Sequence, residues 1–519
     1  MTQKLINLEF NNIADLIEHS LIKYADKPAF SCLGQTLNFA EIDEKSKALA
    51  CWLQKQENLS PGDRIAIQLP NLIQYPIAAY AALRAGLVIV NTNPLYTPRE
   101  MQHQFKNSGA KAIIILTDLL PKLDEIKANT DIETVIATAA TDLLTGSTEV
   151  PDGCISFNQI LTECKGDTLT PRPANSLDDN AVLQYTGGTT GVSKGACLTH
   201  RSIMANAEQT RLVLKDGCIE GEEIFVCPLP LYHIYAFSVN MLVFTTSGNL
   251  NILIPNPRDM AAFVAAIKPF KFTGFAGINT LFVGLCMHPE FKTLDFSRLK
   301  LTISGGTALT SSAVDMWKTV TGCSISEGYG LSETSPVVCF NIPGQERLGT
   351  VGKPVADTEI QLWNDEDKVV EEGQIVVRGP QVMAGYWNMP EETAKAITPD
   401  GFFKTGDVGV RLEDGTIKIV DRLKDMIIVS GFNVYPNEIE DVLCQHEGVL
   451  EAAVIGEPDE KTGEKVCAYI TLKSDVSQDD IIAHCKGLLT AYKIPKKIVF
   501  MQELPKSSVG KLLRRELRK

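Results

Sequence analysis

The chain has no excess of positive charge, no paired-cysteine spacing, no long apolar run and no internal repeat, and each of these gaps removes a class of function. Lys and Arg number 49 against 63 Asp and Glu, a formal net charge of −14. A general nucleic-acid binder is basic, so nucleic acid is not an expected partner, while local cationic patches for small anions stay open. The 13 cysteines are scattered, with no C-x-x-C pair. Zinc ligands cluster at short spacing, so no structural metal is expected, and dispersed thiols fit a reducing cytoplasm. The most apolar region, Tyr75 to Val90, is broken by Arg84, short of the ~20 residues that span a bilayer. Residues Met1 to Ser20 carry acids and asparagines where a secretion signal would have a basic start and an apolar stretch. The expected location is the cytoplasm.

What is present is an ordinary globular composition, 44% hydrophobic and 22% charged over 519 residues, too long for one core. Residues Phe10 to Gln56 read as helix, strand pair and helix. Arg64 to Leu69 reads as a strand, Leu72 to Ala85 as a helix ending at Gly86, and Leu87 to Val90 as a buried strand. This alternation predicts an α/β architecture with parallel strands. Pro98 marks a helix start, Ala112 to Leu116 another strand, and residues 140–180 an irregular connector. Residues 358–421 read as short strands and turns, with Asp414-Gly415 as a hairpin signal. From Ser430 onward a helix, two strands, a helix and a last strand predict a small α+β unit.

The stretch that organises the chain is Gln184 to His200, Gln-Tyr-Thr-Gly-Gly-Thr-Thr-Gly-Val-Ser-Lys-Gly-Ala-Cys-Leu-Thr-His, followed by a predicted helix from Arg201. Gly187, Gly188 and Gly191 let backbone N–H groups approach an anion, Thr186, Thr189 and Thr190 add hydroxyl donors, and Lys194 adds a fixed positive charge. This is the chemistry of a phosphate cradle. It is not G-x-x-x-x-G-K-[ST], because Ser193 replaces the second glycine and Gly195 follows the lysine.

This stretch resembles the phosphate-binding signature of the adenylate-forming enzymes: acyl-CoA synthetases, adenylation domains of peptide synthetases, and luciferases. Its wording from Leu183 to Gly191 is similar to the long-chain fatty acyl-CoA synthetases in particular. The resemblance implies an α/β fold with a large multi-lobed N-terminal adenylate-forming domain, residues 1–423, and a small mobile α+β C-terminal domain, residues 424–519, turning at Lys424. It implies ATP, Mg²⁺ and CoA as co-substrates or cofactor and a fatty acid as substrate. A homodimer and peripheral contact with the inner face of a membrane are left open.

Further motifs follow in the family's order. Ser304-Gly305-Gly306 leaves room at a strand end for adenine or an acyl chain, although a plain tight turn fits the spacing too. In Glu327-Gly328-Tyr329-Gly330-Leu331-Ser332-Glu333, an aromatic, a hydroxyl and a carboxylate fall close together. The resemblance assigns adenine stacking to Tyr329, phosphate contact to Ser332 and Mg²⁺ to Glu333, with Glu327, Gly328 and Gly330 in the same nucleotide site. It matches Asp407 to the ribose-binding carboxylate, with Arg422 beside it, and Ser430-Gly431-Phe432 to the CoA arm. His233 and Phe237 border the acyl site, where some long-chain members carry a gating tryptophan at the position of Phe237. A histidine among aromatics is, by itself, more often a core residue. Lys511, in a cationic tail that could be solvated, matches the lysine that stabilises the α-phosphate and the attacking carboxylate. The catalytic set is therefore Lys511, Thr186, Lys194 and Glu333. Rival readings are a ligase for medium-chain or aryl acids, an enzyme loading a carrier protein, and a non-catalytic acyl- or nucleotide-binding protein. The last predicts loss of Glu333, Asp407 or Lys511, and all three are present.

Overall fold

The computed structural model describes residues 8–171, 176–186, 193–507 and 510–518. Runs such as Ala-Ile-Ile-Ile at 112–115 are apolar on both faces, the pattern of strands buried in a parallel sheet. They form a sheet in the order Ile155–Ser156, Thr134–Thr138, Ala110–Leu116, Arg64–Gln68, Val88–Asn91, Asn180–Thr186, Lys194–Thr199. All neighbours are parallel except the last pair. A second sheet has a parallel centre, Ile325–Gly330, Leu301–Ser304, Gly274–Gly277, Ile224–Cys227, Leu250–Leu253 and Pro28–Cys32. Antiparallel strands Val337–Phe340, Lys353–Pro354 and Gln35–Asn38 close its edges.

The helix Gln74–Arg84 is buried along every residue, as expected of a helix apolar all round. Its polar groups are matched individually: Tyr80 Oη donates to Met241 O at 2.8 Å, and Arg84 pairs with Glu18 and Asp43. The predicted helix–strand–strand–helix start is present as Ile13–Lys23, Pro28–Cys32, Gln35–Asn38 and Phe39–Gln54.

One expectation needs correction, and one strand goes beyond the sequence reading. The 140–180 connector contains the helix Phe157–Glu163, capped by Ser156 Oγ accepting from Gln159 N, with Phe157, Ile160 and Leu161 buried. Between the glycine-rich loop and the helix His200–Leu214 lies a strand, Lys194–Thr199, antiparallel to Asn180–Thr186 with Lys194 opposite Thr186. These two strands are therefore the arms of a hairpin.

Residues 359–422 form a four-stranded antiparallel sheet, with Asp414-Gly415 turning between Phe403–Arg411 and Ile417–Arg422. Beyond it a five-stranded sheet and the helices Pro436–Cys444 and Gln478–Leu488 enclose their own cluster, including Ile439, Leu443, Val454, Ile470 and Ile481. This part touches the rest through defined contacts. Asp441 Oδ1 accepts from Ser311 N and Oγ at 3.1 and 3.0 Å, and Tyr435 Oη donates to Glu372 at 2.7 Å. Among the described residues no helix is long and apolar enough to cross a membrane, and all 13 cysteines are free thiols.

Candidate active site

The hairpin sets the first part of the site. Thr186 ends one strand and Lys194 begins the next, while Gly187, Gly188, Thr189, Thr190 and Gly191 lie outside the described residues. At the loop's exit His103 Nε2 donates to Ser193 O at 2.9 Å. Lys194 forms an ion pair with Glu392, and its ammonium lies 5.0 Å from the centre of the Tyr386 ring. The segment 383–387 runs beside the strand that leaves the loop: Ala384 N donates to Cys197 O, Cys197 N to Gly385 O, and Trp387 N to Gly195 O, all within 2.8–3.0 Å. Met383 N donates to Glu333 O at 2.8 Å. One short segment thus joins the hairpin strand Lys194–Thr199 to the Glu333 turn.

The second part joins the end of the strand Ile325–Gly330 to the middle of the strand Phe403–Arg411. Tyr329 Oη donates to Asp407 Oδ2 at 2.6 Å, and Arg422 Nε lies 3.2 Å from Asp407 Oδ1. Asp407 and Arg422 are direct partners across the antiparallel ladder, so the pair is built into the sheet register. Beside it opens a cavity of about 290 Å³ lined by Thr405, Gly406, Arg422, Leu423 and Lys424. Gly330 is required by packing, since a Cβ there would stand 1.9 Å from Pro336 O. Ser332 and Glu333 follow on a single helical turn, and Tyr386 Oη donates to Glu333 Oε1 at 3.0 Å. Burial raises the Glu333 carboxyl above its ordinary range, and burial pushes Glu327 up to about 8.

The third part is apolar with a polar rim. Gly305 and Gly306 end the strand Leu301–Ser304, and Gly306 has φ +85° with open space where a side chain would stand. Tyr235 packs against Gly305. Among the described residues the buried Tyr235 Oη, Ser304 Oγ and Thr307 Oγ1 have no hydrogen-bond partner, an exception among buried polar atoms. His233 Nδ1 accepts from Tyr235 N at 3.4 Å, capping the turn Ile234–Ala236. Burial, with Lys511 as second cause, lowers its imidazole to about 4, so it is neutral near pH 7. Phe237 is fully buried at the start of a π-helical stretch, Phe237–Phe244.

Lys511 completes the cluster from the far end of the chain. Its loop is closed by Ser507 N donating to Lys511 O at 2.8 Å, and Gly510, at φ +74°, packs so tightly on Ile278 that a Cβ would come within 2.3 Å of it. Burial, then Arg422, lowers the Lys511 ammonium to about 8, while Asp407 acts in the other direction. Arg514 fixes the following turn through Glu440, Asn437 and Asp425.

Of the residues singled out in the sequence, Tyr329, Glu333, Asp407, Arg422, His233 and Lys511 thus come together. Ser430, Gly431 and Phe432 do not join them: they form an exposed turn between Ile427–Val429 and Phe432–Val434, with Phe432 stacked on Tyr492 at 4.9 Å. Lys424 is exposed, two residues after Arg422. Sequence reasoning missed Tyr386 and Glu392. Pro390 followed by Glu391 and Glu392 signals a helix start, present as Pro390–Ala396, but nothing in that signal points to Lys194, 198 positions away.

A two-sheet α/β body with an antiparallel hairpin at Thr186 and Lys194, a carboxylate–phenol–guanidinium cluster and a lysine from a loop of the C-terminal part frames the site. Residues 17–387 match the AMP-binding enzyme family and residues 438–511 match the AMP-binding enzyme C-terminal domain. The long-chain-fatty-acid–CoA ligase of Salmonella typhimurium is 44% identical over 98% of this chain and 94% of its own length. Among solved structures, the anthranilate CoA ligase AuaEII in complex with anthranoyl-AMP aligns with a TM-score of 0.91 at 27% identity, covering 99% of this chain and 97% of that one. ATP-bound MatB from Rhodopseudomonas palustris aligns at 0.85 and 28% identity, covering 98% of each. The chain belongs to the AMP-binding enzyme family, whose members are adenylate-forming enzymes.

Proposed function

We propose that this chain is an AMP-forming ligase that activates a long-chain fatty acid with ATP and transfers the acyl group to CoA. The Salmonella typhimurium relative, similar over nearly the full length, supports the fatty-acid and CoA assignment, and the likeness to ATP-bound MatB supports ATP. The observation that carries the reading is the convergence of Lys511 with Arg422, Asp407 and His233. It brings a cation from the last residues of the chain to a carboxylate suited to ribose hydroxyls.

In the first step a carboxylate oxygen of the fatty acid attacks the α-phosphorus of ATP. The bond to the bridging oxygen of the β-phosphate breaks, and pyrophosphate leaves. Thr186, Lys194, Lys511 and the hairpin residues Gly187, Gly188, Thr189, Thr190 and Gly191 hold the phosphates, while Asp407 and Tyr329 hold the nucleoside. Catalysis is positioning and charge stabilisation. In the second step the CoA thiolate attacks the acyl carbonyl and AMP leaves. For that step residues 424–519 turn about Lys424 and present Ser430, Gly431 and Phe432 to CoA.

Glu333 fits a magnesium ion. Magnesium takes one or two carboxylates together with substrate phosphates. Among the described residues Glu333 accepts from the Tyr386 hydroxyl and has no lysine or arginine hydrogen-bonded to it, while burial works against its negative charge. When bound, the ion would supply charge neutralisation at the phosphates.

The test is pyrophosphate and AMP release with ATP, Mg²⁺ and acids from octanoate to oleate, with and without CoA. CoA-dependent turnover that peaks at long chains is expected. Turnover with aryl acids alone would move the substrate class towards that of the anthranilate ligase, and no release with any acid would overturn the reading.

A further inference from the structure

Lys194 stands at the exit of the phosphate hairpin, opposite Thr186, and its charge is already neutralised within the protein. Glu392, in the first turn of the helix Pro390–Ala396, provides the counter-charge through Oε2. The other carboxylate oxygen accepts from Lys395 Nζ at 2.6 Å. Lys194, then Lys395, holds the Glu392 carboxyl down to about 2, so it stays ionised at any working pH. The face of Tyr386 carries the ammonium at 5.0 Å, and the same ring's hydroxyl is fixed on Glu333. Backbone hydrogen bonds from Ala384 and Trp387 lock this platform to the strand that bears Lys194.

A triphosphate entering the hairpin would meet a lysine occupied by a carboxylate of the same sign as itself. The two anions compete for one ammonium. Releasing Lys194 does not strand Glu392, because Lys395 remains bound to its other oxygen. Tyr386 meanwhile limits how far the ammonium travels.

We infer that Glu392 is a positioning residue for Lys194: it holds the ammonium on Tyr386 and gives it up when ATP phosphate arrives, and so sets how tightly ATP and pyrophosphate are bound. The inference rests on the adenylating reading for its role in turnover, but its effect on ATP affinity can be measured without turnover. The ion pair is about one-third exposed on each side, 32% and 34%. Exposed pairs are weak, so the effect is modest.

The experiment measures ATP–Mg²⁺ affinity by equilibrium binding without acid, and the KM for ATP and pyrophosphate inhibition with acid. It uses the full chain and the variants Glu392→Gln, Glu392→Asp, Lys194→Met and the Lys194→Met/Glu392→Gln double variant. Glu392→Gln is expected to tighten ATP and pyrophosphate by roughly two- to fivefold, with Glu392→Asp near wild type and no shift on adding Glu392→Gln to Lys194→Met. A purely structural role would weaken binding in Glu392→Gln. That result, unchanged affinity, or an equal shift in the Lys194→Met background would overturn the inference. A wild-type chain that binds ATP yet releases no pyrophosphate with any acid would overturn the proposed function while the binding arm still decided on Glu392. Absence of ATP binding would overturn both.

Discussion

Two lysines of the proposed site come from different parts of the fold, and they are kept in opposite electrostatic states. Lys194 rises from a sheet edge with its own counter-anion, Glu392, and an aromatic platform. Lys511 sits on a loop of the C-terminal part among cations, Arg422, Lys424 and Arg514, with Asp407 nearby but no ion pair among the described residues. The first lysine can wait for its ligand at little cost. The second is electrostatically incomplete, and an α-phosphate with an incoming carboxylate would complete it. The comparison teaches that a pre-paired cation tunes affinity, whereas an unpaired, desolvated cation gains most when negative charge develops beside it, which is the condition for catalysis.

The largest expected effect breaks the scaffold under Lys511. Arg514→Ala leaves the buried Glu440 without its guanidinium, and loss of one partner of a buried pair costs about 3–5 kcal/mol. Urea unfolding followed by a probe in the C-terminal part should show that loss. Next, Lys511→Ala should lower acid-dependent pyrophosphate release by ~10²–10³, as for removal of one preorganised donor. Lys194→Ala, already half satisfied by Glu392, should cost about tenfold, mostly in the KM for ATP, the scale of a weak charged contact. Equal losses from the two lysines would break the comparison.

A pH profile sharpens it. With the Lys511 ammonium lowered to about 8, its charged form is lost as pH rises through that value. Adenylation at low ATP should therefore fall on the alkaline side, and saturating ATP should move the fall to higher pH. The smallest effect concerns Glu327, which lies outside the comparison. Its folded-state proton is retained up to about 8 whereas the unfolded chain releases it in the ordinary carboxylate range. Stability should fall across that window, and Glu327→Gln should flatten the fall in thermal denaturation.

Much of this was legible before the fold. Continuous apolar runs marked the parallel strands, Pro98 and Gly86 marked helix ends, and the motifs around Tyr329, Asp407 and Lys511 named residues that the fold brings together. Local signals were too short elsewhere. Lys-Gly-Ala-Cys-Leu-Thr at 194–199 has neither clear alternation nor helical spacing, and its strand state comes from pairing with Asn180–Thr186. The helix Phe157–Glu163 is only two turns long and is flanked by polar sequence. Tyr386 and Glu392 carry no motif, and their place beside Lys194 follows from sheet pairing across a long sequence separation.

The most direct test of the account separates the half-reactions in Lys511→Ala: acyl-adenylate formation from ATP and oleate in a single turnover, and thioester formation from supplied oleoyl-adenylate and CoA. The account predicts that the first falls by at least about a hundredfold while the second stays near wild type. An equal fall in both, or no fall in the first, would contradict the assignment of Lys511 to the developing phosphate charge.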